Sequence, residues 1–132
     1  MAAPAPTCKL HMAIQWQTLV SEVQLNELVA RSFEVPCLIL KHSTRCNISA
    51  IAKYRLESDW DFATTDMETW YIDVIAQRPL SQKTAELFGV HHESPQVLLI
   101  VKGECVYDAS HLDISVEELR EGLSAPELFP QH

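Results

Sequence analysis

Cys46 stands in the stretch Ser43-Thr44-Arg45-Cys46-Asn47-Ile48-Ser49, directly after the apolar run Cys37-Leu38-Ile39-Leu40 and at the opening of an amphipathic pattern. That order puts a thiol where a strand becomes a helix. Backbone N–H groups without intrahelical partners and the positive end of the helix dipole meet there, so an anion is favoured and the thiolate form of Cys46 is expected to be stabilised. Arg45 adds a fixed positive charge next door. Ser49, one helical turn on, shares the face of Cys46; its hydroxyl could donate to a thiolate but could not close a disulfide with it. The chemistry such a set supports is exchange at sulfur, in which a thiolate attacks one sulfur of a disulfide in line and displaces the other. Much farther along, Ser94-Pro95-Gln96 leads straight into Val97-Leu98-Leu99-Ile100-Val101, a proline immediately before what reads as a central strand.

Other chemistries find less support. His91, His92 and Glu93 match no common metal-ligand spacing, and His42 lies four residues from Cys46 across a strand-to-loop segment, so no metal site is expected. No Ser-His-Asp set, phosphate loop or pair of catalytic carboxylates can be placed. Cys37, inside an apolar run, is expected in the core; Cys105 is expected to be packed or half exposed, and Cys8 falls in a Pro-rich opening segment. Trp60, Trp70 and Tyr71 are expected to pack in the core.

The chain has 132 residues, 47% apolar and 21% charged, enough for one domain with its own core. Its 10 basic and 18 acidic residues give a net charge of −8, which argues against nucleic acid or an anionic membrane surface as partner. Four cysteines without a C-x-x-C pair or a dense framework fit a reducing compartment, and neither a signal peptide nor a membrane span is apparent, so the cytoplasm is the expected address. Residues 1–12 and 125–132 are expected as loose tails around a domain spanning 13–124.

The elements that must position the thiol follow from periodicity and punctuation. Ser21-Glu22-Val23-Gln24 reads as a capping box opening a helix to Ser32, and Cys37 to Lys41 as a strand buried on both faces. From Asn47 to Trp60 the stripe Ile48, Ile51, Ala52 and Leu56 predicts a helix packed on a sheet. Thr69 to Ile75 reads as the next strand, and Pro79 to Gly89 as a helix with Leu80, Thr84, Leu87 and Phe88 on one face. Val97 to Lys102, a Lys102-Gly103 turn and Glu104 to Ala109 read as a hairpin; Ser115-Val116-Glu117-Glu118 opens a last helix through Leu123. A further strand within Ala13 to Leu19 is weakly signalled. This order predicts an α/β protein with a central mixed β-sheet flanked by helices on both faces. A thiol at a helix start and a proline before a strand, within that order, suggest a thioredoxin-like fold.

From about Trp16 to Leu123 the chain resembles the monothiol bacilliredoxins, the YtxJ-like branch of the thioredoxin superfamily. The resemblance rests on Lys41-His42-Ser43-Thr44-Arg45-Cys46 running into Ile48-Ser49, on Tyr71-Ile72-Asp73-Val74, and on Phe88-Gly89-Val90-His91-His92-Glu93-Ser94-Pro95-Gln96-Val97. It implies that Cys46 is the nucleophile, that Ser49 takes the place of the resolving cysteine of dithiol relatives, and that Pro95 is a cis-proline facing the thiol. Arg45 and Ser49 would tune the thiol, while Thr44, Asn47, Ser94 and Pro95 would shape the substrate groove. It further implies removal of bacillithiol from protein mixed disulfides, with bacillithiol as co-substrate and no resident cofactor. Its partners would be bacillithiolated proteins, bacillithiol and a disulfide reductase, and the protein would be a monomer or at most a weak dimer. Where the family commonly has Pro after the active cysteine, this chain has Asn47, whose N–H can point at the Cys46 sulfur. Two other readings keep the same fold: a noncatalytic binding or adaptor module, and an iron–sulfur carrier of the monothiol-glutaredoxin kind, which shares a Cys-x-x-Ser core.

Overall fold

The computed structural model describes residues 14–124; Cys8 and the expected tails, 1–12 and 125–132, lie outside the described residues. Strand β1 (Gln17–Thr18) is followed by helix α1 (Glu22–Arg31), β2 (Cys37–His42), α2 (Asn47–Asp59), β3 (Glu68–Asp73) and α3 (Arg78–Phe88). A hairpin of β4 (Gln96–Val101) and β5 (Glu104–Ser110), a 3-10 turn (His111–Asp113) and α4 (Val116–Ser124) complete it. The sheet order is β1-β3-β2-β4-β5; β1 and β2 run parallel to β3, and β4 runs antiparallel to both β2 and β5. The expected mixed sheet is therefore present, with β2 in its centre.

Alternation along β2 sorts the core into two layers. Leu38 and Leu40 pack with Ala52 and Leu56 of α2 and with Val116 and Leu119 of α4. Cys37 and Ile39 face the other way, onto Leu25 and Leu28 of α1 and Leu80 of α3. Period-two side-chain direction makes this automatic for a strand covered on both sides. Each fully buried aliphatic side chain contributes about 1.5–3 kcal/mol, so these two layers dominate the stability of the sheet.

Local signals set most boundaries. Ser21 Oγ accepts from the Gln24 N–H while Gln24 Oε1 accepts from the Val20 N–H, closing the capping box on α1. Gly89, in the left-handed region at φ 66°, ends α3. Lys102 and Gly103, with φ of 53° and 81°, form the hairpin turn, which docks on the end of α1 through Ser32. Three expectations change. The β3 strand stops at Asp73: the Val74 N–H still donates to the His42 carbonyl at 3.0 Å, but Asp73 Oδ1 accepts from the Ile75 and Ala76 N–H groups and turns the chain out of the sheet. In α2 the buried stripe is Ser49, Ala52 and Leu56, and Ile48 and Ile51 are exposed at 41% and 49%. Leu87 of α3 is likewise exposed.

At Gly122 α4 packs tightly against Tyr107 of β5. A Cβ there would stand 2.5 Å from Tyr107 Cγ and 2.8 Å from its Cβ, the stem of the side chain and not its movable end. Gly122→Ala is expected to destabilise the fold by about 1–3 kcal/mol, the usual cost of overpacking, and to lower the melting temperature by several degrees. Thermal unfolding followed by circular dichroism checks this; an unchanged midpoint would contradict the close packing of α4 on Tyr107.

Candidate functional site

Cys46 is the N-cap of α2, in extended backbone conformation (φ −117°, ψ 121°), and is partly exposed. Its carbonyl accepts from the Ala50 N–H at 3.1 Å, the first bond of the helix, and its own N–H donates to the Ser43 carbonyl. No side chain caps α2 and no acidic residue lies in its first turn, so nothing competes with the sulfur for the positive end of the helix.

A buried knot fixes this junction. The Ser43 N–H donates to Ser49 Oγ at 3.0 Å, and Ser49 Oγ lies 2.6 Å from His42 Nδ1. Ser49 is fully buried, and its hydroxyl is hydrogen-bonded to the His42 imidazole. Ser49 thus joins the last residue of β2 to the first turn of α2, and its hydroxyl partners are His42 and the Ser43 N–H, with no hydrogen bond to Cys46 among the described residues. Burial, followed by the positive charge of Lys53, holds the His42 imidazole below its ordinary pKa.

On the opposite face of β2, Lys41 is fully buried and donates to the Ser81 carbonyl and to His92 Nδ1, each at 3.1 Å. Burial brings the Lys41 pKa down to about 8, and burial with the neighbouring Lys41 charge lowers that of His92. An ammonium can only donate, so His92 accepts at Nδ1 and carries its proton on Nε2.

The peptide bond between Ser94 and Pro95 is cis, as the resemblance implied. Pro95 is buried, and Gln96, also buried, clamps the preceding loop by donating to the His91 carbonyl and accepting from the Glu93 N–H. A cavity of about 340 Å³ opens beside Cys46. Ser43 and Cys46 line it from the β2–α2 junction and His92 and Ser94 from the loop before β4. Arg78, Ser81 and Gln82 of α3 form another wall, and Val74 and Ile75, the residues after β3, supply apolar surface. Of the residues singled out in the sequence, Cys46 and Ser94 meet at this cavity; Thr44, Arg45 and Asn47 are exposed and outside its wall, and Ser49 and Pro95 are buried. The α3 wall was not anticipated, since its proximity to Cys46 comes from the fold and not from any local motif.

The other described cysteines are poor nucleophiles. Burial, reinforced by Glu68, pushes the Cys37 thiol up to about 12; burial, reinforced by Asp108, pushes Cys105 up to about 11. Cys37 begins β2, about 17 Å of strand away from its cavity end.

A family model described as monothiol bacilliredoxin BrxC matches residues 17–119. Among solved structures, one provisionally assigned as an oxidoreductase with a thioredoxin fold is 32% identical, with a TM-score of 0.73 over 83% of this chain and 94% of that one. The thioredoxin of Malassezia sympodialis is 14% identical, with a TM-score of 0.65 over 83% of this chain and 89% of its own. The thioredoxin of Trypanosoma brucei brucei is 11% identical, with a TM-score of 0.65 over 93% of each chain. These last two likenesses establish the thioredoxin fold.

Two outcomes follow from the buried histidines and the knot. Because the folded pKa values of His42 and His92 lie below 6.5, the unfolded chain binds more protons just below that pH. The share of stability that rests on these two neutral imidazoles is expected to be complete above about pH 6.5 and to be lost as the pH drops toward 5, before ordinary carboxylates titrate; melting curves across this range test it, and a flat midpoint would refute it. Ser49→Ala, which orphans the Ser43 N–H, is expected to cost about 1–3 kcal/mol in urea unfolding while changing Cys46 alkylation little. A large loss of alkylation rate without a stability loss would restore direct donation to the thiolate.

Proposed function

This chain belongs to the monothiol bacilliredoxin family, and on that premise we propose that it removes bacillithiol from mixed disulfides on proteins, with Cys46 as the sole nucleophile. It is a thiol-disulfide oxidoreductase. The observation that carries the finer reading is the isolation of Cys46: a partly exposed thiol at an uncapped helix start, with a buried serine one turn on and the other two described thiols held in the sheet.

In this reading the Cys46 thiolate attacks the bacillithiol sulfur of the mixed disulfide. The S–S bond breaks, the substrate cysteine leaves as a thiolate and takes a proton from solvent, and Cys46 is left bonded to bacillithiol. A second small thiol or a disulfide reductase then attacks the Cys46 mixed disulfide and regenerates the thiolate. Arg45 stands exposed beside Cys46, and in this reading Thr44, Asn47, Ser94 and Pro95 border the approach of the protein substrate. No resident cofactor is required, bacillithiol serving as co-substrate. The reading places the protein in the cytoplasm, as a monomer or weak dimer; among the described residues no helix is long and apolar enough to cross a membrane.

Incubating the protein with a bacillithiolated test protein and following intact masses tests this directly. The wild type is expected to transfer one bacillithiol to Cys46 and release the free substrate thiol. Cys46→Ser is expected to abolish transfer, and Cys37→Ser to retain it with a stability loss of about 1 kcal/mol from a repacked core. Full transfer by Cys46→Ser would sink the proposal.

A further inference from the structure

Behind the Cys46 cavity lies a charge without a counter-charge. The Lys41 ammonium is fully buried, and the two groups it bonds, the Ser81 carbonyl and His92 Nδ1, are both neutral. A buried ammonium without a carboxylate is costly to keep, and burial alone accounts for its lowered pKa. The acidic side chains flanking the cavity are turned elsewhere. Asp73 accepts from the Ile75 and Ala76 N–H groups, and Glu93 faces His91 and His111 at 3.7 Å. Among the described residues no Asp or Glu lines the cavity.

The wall itself is built to receive negative charge. Arg78, the first residue of α3, lines it, with Ser81 and Gln82 from the next turn. Like α2, α3 has no side-chain cap and no acidic residue in its first turn, so two uncapped helix starts border one cavity. Ser94 Oγ, from the loop before β4 that lines the cavity beside His92, is buried with no hydrogen-bond partner among the described residues. In a chain of net charge −8, cationic and dipolar groups are thus gathered around one thiol.

We propose that this cavity is a carboxylate subsite: it holds the anionic part of a low-molecular-weight thiol whose sulfur is bonded to Cys46, with Arg78 and the Nε2–H of His92 as its donors. Lys41 is a positioning residue one hydrogen bond behind the wall, fixing the His92 tautomer and supplying positive charge. The inference rests on the thiol-exchange reading and adds the selection of the small thiol by its charge. Bound anion compensates the Lys41 charge, and anionic small disulfides react with Cys46 faster than neutral or cationic ones.

The test measures, by intact mass, the rate at which Cys46 of the full chain forms a mixed disulfide with 3,3′-dithiodipropionate, bis(2-hydroxyethyl) disulfide or cystamine. In each case the Cys46 thiolate attacks one sulfur, the S–S bond breaks and the other half leaves as a thiolate that takes a proton from water. Each rate is divided by that of 2-mercaptoethanol with the same disulfide, removing intrinsic reactivity. The anionic reagent is expected to react about tenfold faster than the neutral one, an advantage that shrinks in 0.5 M salt. Arg78→Gln and Lys41→Met are expected to bring that ratio to about one, while Lys83→Gln, the loss of an exposed charge on α3 outside the wall, retains it. Arg78 is exposed, so its replacement keeps the test decisive if Lys41→Met fails to fold. Equal rates for all three reagents, or a preference untouched by Arg78→Gln, would overturn the subsite with Cys46 still reactive. Absence of an adduct with every reagent would overturn the thiol-exchange reading itself.

Discussion

The burial of β2 on both faces is the constraint from which the rest of the site follows. A central strand must present successive side chains to opposite layers, and at its C-terminal end the two successive residues are Lys41 and His42. One titratable group therefore enters the α1/α3 layer and the other the α2/α4 layer, and each must find neutral partners there. His42 finds Ser49 and so ties the first turn of α2 to the sheet; Lys41 finds Ser81 and His92 and so ties α3 to the loop before β4. Cys46 sits between these two attachments, its position fixed from below by groups that never touch its sulfur.

How much of this the sequence discloses depends on the range of the interaction. The strand-to-helix junction at Cys46, the capping boxes at Ser21 and Ser115, the left-handed Gly89 and the Lys102-Gly103 turn are legible because each is decided within four or five residues. Val74 and Ile75 mislead by composition: they are β-branched or aliphatic and extend the strand pattern, but the Asp73 carboxylate takes the backbone N–H groups that would have continued it. Ile48 and Ile51 mislead by periodicity. A helix reads as packing through its most apolar stripe, whereas α2 turns Ser49, Ala52 and Leu56 inward because the hydroxyl of Ser49 has a buried task. The wall from α3 is not legible at all, since Ser81 and Lys41 are 40 residues apart and meet only through the fold.

The same distinction separates the thiols. Cys37 and Cys46 are nine positions apart and chemically identical, yet one is sealed in the sheet beneath Glu68 and the other stands at a helix start. What separates them is where the chain leaves the sheet: Cys37 lies within a strand buried on both faces, whereas Cys46 follows the end of that strand and is partly exposed.

The sheet has two margins of unequal character. On one side β1 is only two residues long; on the other, β5 carries an irregularity opposite Leu99 and Ile100, with Glu104 and Asp108 exposed along it. A short margin offers few backbone groups to a foreign strand, and a bulged, acidic one repels a second copy of itself. Edge-to-edge polymerisation, the standing hazard of any five-stranded open sheet, is thus opposed at both ends.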